Sequence, residues 1–281
     1  MAHIIGSSDR PDLPLAVVVG AGGLGMAVAR RLGLGYRVML ADRDAEHLAA
    51  RVEALRHEGH DAVGIPCDVT ELAAVSALTA HAAAAGPVRA LAHIVGLSPS
   101  MAGFKPIMEV NLVGAARIAE AFRPVMPLGG AALFISSSAA HMSPVPDQLW
   151  PLLENPLSAG FADRMATVLG EGATPKVAYA LSKAGLNRLC QRAAAAWGAR
   201  GLRILSLSPG LIATPMGAQE FERSPAKHRL LAAVPLAREG TMLEIANLAA
   251  FLISDQASFI SGTDILADGG MVAALRHVPG G

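Results

Sequence analysis

The chain has 281 residues, 52% of them apolar and only 16% charged, with 23 basic side chains balanced by 23 acidic ones. That length and apolar content suit one large α/β domain with a well-buried sheet. The even charge argues against nucleic acid, no run of about 18 apolar residues could cross a bilayer, and residues 1–13 lack the pattern of a signal peptide. Cys67 and Cys190 fit no metal or redox spacing, and His57 and His60, three apart without an acidic or thiol partner, read as surface residues. No metal centre is expected, and a reduced, cytoplasmic protein is the simplest reading.

In chain order, the apolar run Leu15–Val19 enters a glycine cluster, Gly20, Gly22, Gly23 and Gly25, and an apolar-rich helical segment follows. A buried strand, a tight turn and a helix are predicted. Glycines suit such a turn because it needs unusual dihedrals, close approach to a ligand and tight packing of helix on strand. The helix N-terminus would then face a pyrophosphate. Tyr36–Asp42 reads as the second strand, and its terminal Asp42, about 20 residues on, completes a dinucleotide fingerprint. Leu48, Val52 and Leu55 predict an amphipathic helix over 44–58. Asp61–Pro66 predicts a third strand, and Thr70 an N-cap for a helix to about 85. Gly86-Pro87 ends that helix, and a fourth strand is expected over Val88–Val95. A helix over 107–122, a fifth strand over Ala131–Ile135, a long helix over 177–199 and a sixth strand over Leu202–Leu207 follow. Residues 140–176 are irregular in composition, with five prolines in 144–175. Residues 210–238 are expected to be a mobile substrate segment. Thr241 and Glu244 form a capping box, and Thr263–Ala267 is a last strand. The alternation predicts a single doubly wound parallel sheet of about seven strands, helices on both faces, with ligands at the strands' carboxyl ends.

Tyr179 and Lys183 stand four apart, on one helix face. A phenol titrates near 10, and a neighbouring ammonium favours its anion, which suits proton transfer. A hydroxyl of Ser136, Ser137 or Ser138 could hold a substrate carbonyl oxygen.

With the glycine turn, Asp68-Val69, Asn111 in Val-Asn-Leu-x-Gly, Ile135-Ser136-Ser137, Tyr179-x-x-x-Lys183, Ser208-Pro209-Gly210 and Asp268-Gly269-Gly270 in this order, the chain resembles the short-chain dehydrogenase/reductases over about residues 14–272. The resemblance implies a tetrad of Asn111, Ser137, Tyr179 and Lys183. Tyr179 would exchange the proton, Ser137 would bond the reacting oxygen, Lys183 would bind the nicotinamide ribose, and Asn111 would hold a water in the proton path. It also implies cofactor contacts from Gly20, Gly22, Leu24, Gly25, Asp42, Arg43, Asp68, Val69, Tyr179, Lys183, Pro209, Gly210, Ile212 and Thr214. Asp42 would accept from both ribose hydroxyls and repel a 2′-phosphate, so NAD(H) is expected over NADP(H), with Arg43 the opposing influence.

Three features depart from the family pattern. The glycine turn is one residue shorter, and Val19 replaces its threonine. His93-Ile94-Val95-Gly96 stands where the family has Asn-Asn-Ala-Gly. Ser137 and Tyr179 are about 40 positions apart, where the family commonly has about a dozen. This insertion, with Trp197-Gly198 after the catalytic helix, resembles bacterial 3α-hydroxysteroid dehydrogenase/carbonyl reductase. Its Leu157, Phe161, Met165, Val168 and Leu169 predict a short helix. That helix would cover the mouth of the site and contact an alicyclic or bulky ketone, or else pack on the domain or a second subunit. The expected activity is interconversion of a secondary alcohol and a ketone in a homodimer or homotetramer. Two rivals are a reductase of carrier-bound 3-oxoacyl chains, against which Asp42 speaks, and a non-catalytic dinucleotide sensor, which would not need Tyr179 and Lys183.

Overall fold

The computed structural model describes residues 12–214 and 225–277. Strands β1 (Leu15–Val19), β2 (Arg37–Asp42), β3 (Ala62–Pro66), β4 (Val88–His93), β5 (Ala131–Ile135), β6 (Arg203–Pro209) and β9 (Asp264–Ala267) form one parallel sheet in the order β3-β2-β1-β4-β5-β6-β9. A two-residue pair, β7 (Ile212–Ala213) with β8 (Gly240–Thr241), lies apart. The order reverses between β1 and β4, which opens a crevice at their carboxyl ends.

Every residue of β1 is buried, as a central strand requires. Alternate residues face two cores. Val17, Val19, Leu91 and Phe134 face α3 (Leu72–Ala85), α5 (Ala115–Phe122) and α8 (Pro175–Gly198). Ala16, Val18, Ala90, Ala92 and Leu133 face α1 (Gly23–Leu32), α2 (Ala45–His57) and the helix over Met242–Ile253, named α10 below. Arg203 opens β6 and is 9% exposed. Its guanidinium donates to the carbonyls of Leu252, Ile253 and Ser254, satisfying groups at the C-terminus of α10 that no helix bond can reach, and to Ile260 O beyond it.

Several expectations change. Thr70 is not the cap of α3, because its N–H and hydroxyl both donate to Asp68 Oδ1 (2.8 and 2.6 Å), and the helix starts after Glu71. The helix expected over 107–122 is α4 (Phe104–Met108), a π-helical stretch over Glu109–Gly114, and α5. Strand β4 stops at His93. Beyond it the N–H groups of Ile94 and Val95 both donate to Val19 O (2.8 and 3.0 Å), a main-chain tie at the position of the family's Asn-Asn-Ala-Gly. Helix α8 begins earlier than expected, with Pro175 in its first turn and Thr174 Oγ1 accepting from the Val177 N–H. Of the segment expected to be mobile, residues 215–224 lie outside the described residues. After them come α9 (Pro225–Ala232), α10 and a terminal α11 (Met271–Arg276).

The insertion holds α6 (Trp150–Leu153) and α7 (Phe161–Leu169). The predicted helix is therefore present, but its apolar face does not cover the site. Phe161 (2% exposed) and Met165 (0%) are buried in the α8-side core, α7 lies on α4, and no described residue of 147–176 lines the crevice. Burial of a large apolar side chain contributes about 1.5–3 kcal/mol, so the inward packing prevails over a free lid. Leu157 and Val168 of the same stripe stay exposed. Glu154 ties the insertion to α8 through Arg188 and Arg192 (2.7 and 2.9 Å).

Candidate active site

The glycine turn closes the end of β1. Gly20 has φ +110°, and a Cβ there would stand 2.7 Å from Val95 N. A Cβ on Gly25 would stand 1.8 Å from Gly20 O, so helix and turn touch backbone to backbone. Gly22 caps α1, and a Cβ there would meet nothing within 4 Å, which leaves the first turn of the helix open to an incoming ligand. The Asp42 carboxylate accepts from the N–H groups of Ala21 (2.8 Å) and Asp44 (3.2 Å) and so ties the end of β2 to the turn.

A crevice of about 600 Å³ runs from this turn across the sheet. Gly20, Gly22, Leu24, Gly25, Asp42, Arg43, Asp68, Val69, Ser137, Tyr179, Lys183, Pro209, Gly210 and Thr214 all line it. Ile212 and Asn111 do not; Ile212 lies in β7, and Asn111 stands behind the wall. Sequence reasoning missed His47 and Arg51, which line the same crevice beside Arg43. Their spacing of four was a readable signal, since it sets both side chains on one face of α2, whose start Arg43 closely precedes. It also missed Gly96, where a Cβ would lie 3.3 Å from Asn111 Oδ1 and 3.4 Å from Lys183 Nζ. Cys67 lines the crevice as a thiol, pushed up to about 11 by burial and then by Asp68.

Lys183 is 3% exposed, and its ammonium donates to Ile135 O at 2.8 Å. Its Nζ lies 5.8 Å from the centre of the Tyr179 ring. Both Ser136 and Ser137 line the crevice beside Tyr179 and Lys183, but Ser136 Oγ donates to Lys183 O (3.0 Å), which occupies that hydroxyl with structure. Ser137 Oγ accepts from the Ala139 N–H at 3.2 Å. Asn111 sits in the π-helical turn, a device that often marks functional sites. Its carboxamide accepts from the Leu97 N–H (2.7 Å), donates to Leu97 O (3.0 Å) and donates to Ser182 Oγ (3.3 Å). His93 is 1% exposed and has no hydrogen-bond partner for either ring nitrogen among the described residues. Burial, and then Lys183, hold it near 3, so it is neutral at working pH.

Burial alone holds Lys183 at about 8 against an ordinary 10.5. Between those values the unfolded chain binds the additional proton, so the stability contribution rises with pH from about 8 to 10.5 and is constant below 8. Urea unfolding of the cofactor-free protein should therefore show the wild type gaining on Lys183→Met across this range. A difference that stays flat or falls would contradict the assigned burial.

A family model described as short chain dehydrogenase matches residues 14–147, and one described as Enoyl-(Acyl carrier protein) reductase matches 164–272. A short-chain dehydrogenase/reductase of Alternaria brassicicola is 34% identical over 268 residues, covering 93% of this chain and 96% of its own. The 3-alpha-hydroxysteroid dehydrogenase/carbonyl reductase of Comamonas testosteroni is 32% identical over 256 residues, covering 81% and 93%. Among solved structures, gox2181 superposes with a TM-score of 0.77 at 24% identity, over 93% of this chain and 96% of that one. The chain belongs to the short-chain dehydrogenase/reductase family and is an oxidoreductase of alcohols and ketones.

Proposed function

We propose that the chain interconverts a bulky or alicyclic, steroid-like secondary alcohol and its ketone, with NAD(H) as the preferred cofactor. The observation that carries this reading is the shared lining: Ser137, Tyr179 and Lys183 open into the same crevice as the glycine turn and Asp42. The residues fit a dinucleotide. The space over Gly22 is open where a pyrophosphate would meet the N–H groups of α1, and Gly96 leaves room beside Lys183 and Asn111 that a Cβ would crowd. The bound nicotinamide supplies or accepts the hydride.

Tyr179 gives its phenolic proton to the carbonyl oxygen in reduction and takes it back in oxidation. Ser137 donates to the same oxygen and sets its distance from Tyr179. The Lys183 ammonium stabilises negative charge on the Tyr179 oxygen and holds the nicotinamide ribose. Asn111 keeps the loop after β4 in place and, in the family's manner, holds a water in the proton path. Leu24, Gly25, Asp68, Val69, Pro209, Gly210 and Thr214 would hold the rest of the cofactor. The likeness to the Comamonas testosteroni enzyme supports the alicyclic substrate class. The edge position of β9, with Phe259 and Leu266 exposed near it, supports a homo-oligomer, dimer or tetramer, that light scattering would distinguish. The two buried free thiols are in keeping with a cytoplasmic setting.

Fluorescence titration tests the cofactor assignment. At about 4 Å two like charges repel by about 1 kcal/mol in water and more beside protein, so NADH should bind at least about fivefold more tightly than NADPH. Asp42→Asn should narrow that gap. Tighter binding of NADPH to the wild type would overturn the preference. A screen of cyclic and acyclic ketones, followed by NADH absorbance, tests the substrate class.

A further inference from the structure

Helix α8 separates two clefts. Tyr179 and Lys183 line the one described above. Asn187 and Arg188 line a second, also about 600 Å³, bounded by the 140–145 segment, Trp150 of α6 and Arg276 of α11, and the two share no lining residue.

The second cleft is lined by cations and neutral groups, with no aspartate or glutamate in its wall. Arg276 gives one N–H to His141 O (2.8 Å) and has no carboxylate partner among the described residues. Asn187 is 8% exposed. Its Nδ2 lies 3.4 Å from His141 Nε2, and its Oδ1 is buried without a partner. His141 Nε2 also lies 2.7 Å from Asp264 Oδ2, so the hydrogen on that nitrogen is already directed at a carboxylate. A second donor facing it has nothing to donate to. Exchanging the amide's oxygen and nitrogen resolves the conflict: the oxygen faces His141, and the NH₂ of this cleft-lining residue takes the buried, unpartnered place. A buried donor without an acceptor is costly, and an anionic oxygen satisfies it best. The remaining wall mixes polar Ser143, Gln191 and Arg188, which is paired with Glu154 (2.7 Å) and lies 5.5 Å from the centre of the Trp150 ring, with apolar surface from Val145, Trp150 and Met142, the last 42% exposed.

We propose that this cleft binds a small organic carboxylate, its charge held by Arg276 and the Asn187 amide and its apolar body laid against Trp150, Met142 and Val145. The site is separate from the catalytic crevice, so its test needs no turnover. Trp150 lines the cleft while the second tryptophan, Trp197, is fully buried, which gives the site its own fluorophore. Titration of the full chain with hexanoate should change tryptophan emission saturably, and hexanol, the uncharged counterpart, should not. Arg276→Ala, at an exposed position, should weaken hexanoate roughly tenfold or more, as expected for loss of a charge-assisted bond, with unchanged far-ultraviolet circular dichroism. Asn187→Leu should weaken it as well, and Trp150→Phe should abolish the signal. No saturable response, an equal response to hexanol, or an Arg276→Ala variant that binds like wild type would overturn the site. Inorganic phosphate binding as tightly as hexanoate would overturn the choice of carboxylate.

Discussion

Tyr179→Phe should lower turnover by about 10²–10⁴, the usual cost of losing a general acid, while NADH binds as before. The phenylalanine ring keeps the packing of Tyr179 on the α8-side core and removes only the oxygen that carries the proton. Ser137, the hydroxyl beside it in the crevice, is a far weaker acid than a phenol, Ser136 is engaged with Lys183 O, and the Asn111 carboxamide with Leu97 and Ser182. Steady-state rates with a cyclic ketone and NADH, beside a fluorescence titration of NADH alone, separate chemistry from binding. A variant with near wild-type kcat would mean that the proton comes from another group. A variant that no longer binds NADH would mean that Tyr179 holds the cofactor rather than the substrate oxygen.

Gly25→Ala should damage both stability and cofactor binding. The added Cβ would lie 1.8 Å from Gly20 O, a main-chain atom in a turn that Gly20 (φ +110°) already holds against Val95. Relief requires moving α1 away from the turn. Forced overpacking of this kind costs about 1–3 kcal/mol, and displacing the helix N-terminus weakens its hold on a pyrophosphate. A lower urea midpoint and NADH affinity reduced by about tenfold or more are expected. Gly22→Ala is the contrast, because its Cβ would meet no protein atom, and the unfolding midpoint should barely move. Equal midpoints for Gly25→Ala and wild type would show that the contact is not the constraint.

These two residues also show how much the sequence could disclose. Gly20, Gly22 and Gly25 were readable because each answers a different steric demand of one turn, and the pattern of strand, turn, helix and terminal Asp42 expresses those demands in one dimension. Tyr179 and Lys183 were readable because a helix brings positions four apart together. Ser137 was singled out by the family likeness of Ile135-Ser136-Ser137, and the bond of Ser136 to Lys183 O is in keeping with that choice. Thr70 misled for a related reason: Asp68, two residues earlier, captures both of its donors, and propensity is blind to that competition. The apolar stripe from Leu157 to Leu169 gave the helix, but periodicity says nothing about which neighbour receives its face. The π-helical turn around Asn111 leaves no trace in periodicity, because it widens one turn without changing the residues' character.

That turn has a further meaning. The Asn111 carboxamide offers Leu97 one acceptor and one donor, which is what a neighbouring peptide group offers in a sheet. The side chain acts as a surrogate peptide, a one-residue splice that extends the backbone pairing pattern past the point where β4 ends at His93. Aspartate could copy only the accepting half, serine lacks the planar fork, and glutamine is longer by one carbon. The identity of this residue is therefore dictated by main-chain grammar before any demand from proton transfer is counted. In a reading of sites by residue type alone, architecture and chemistry would write the same letter here.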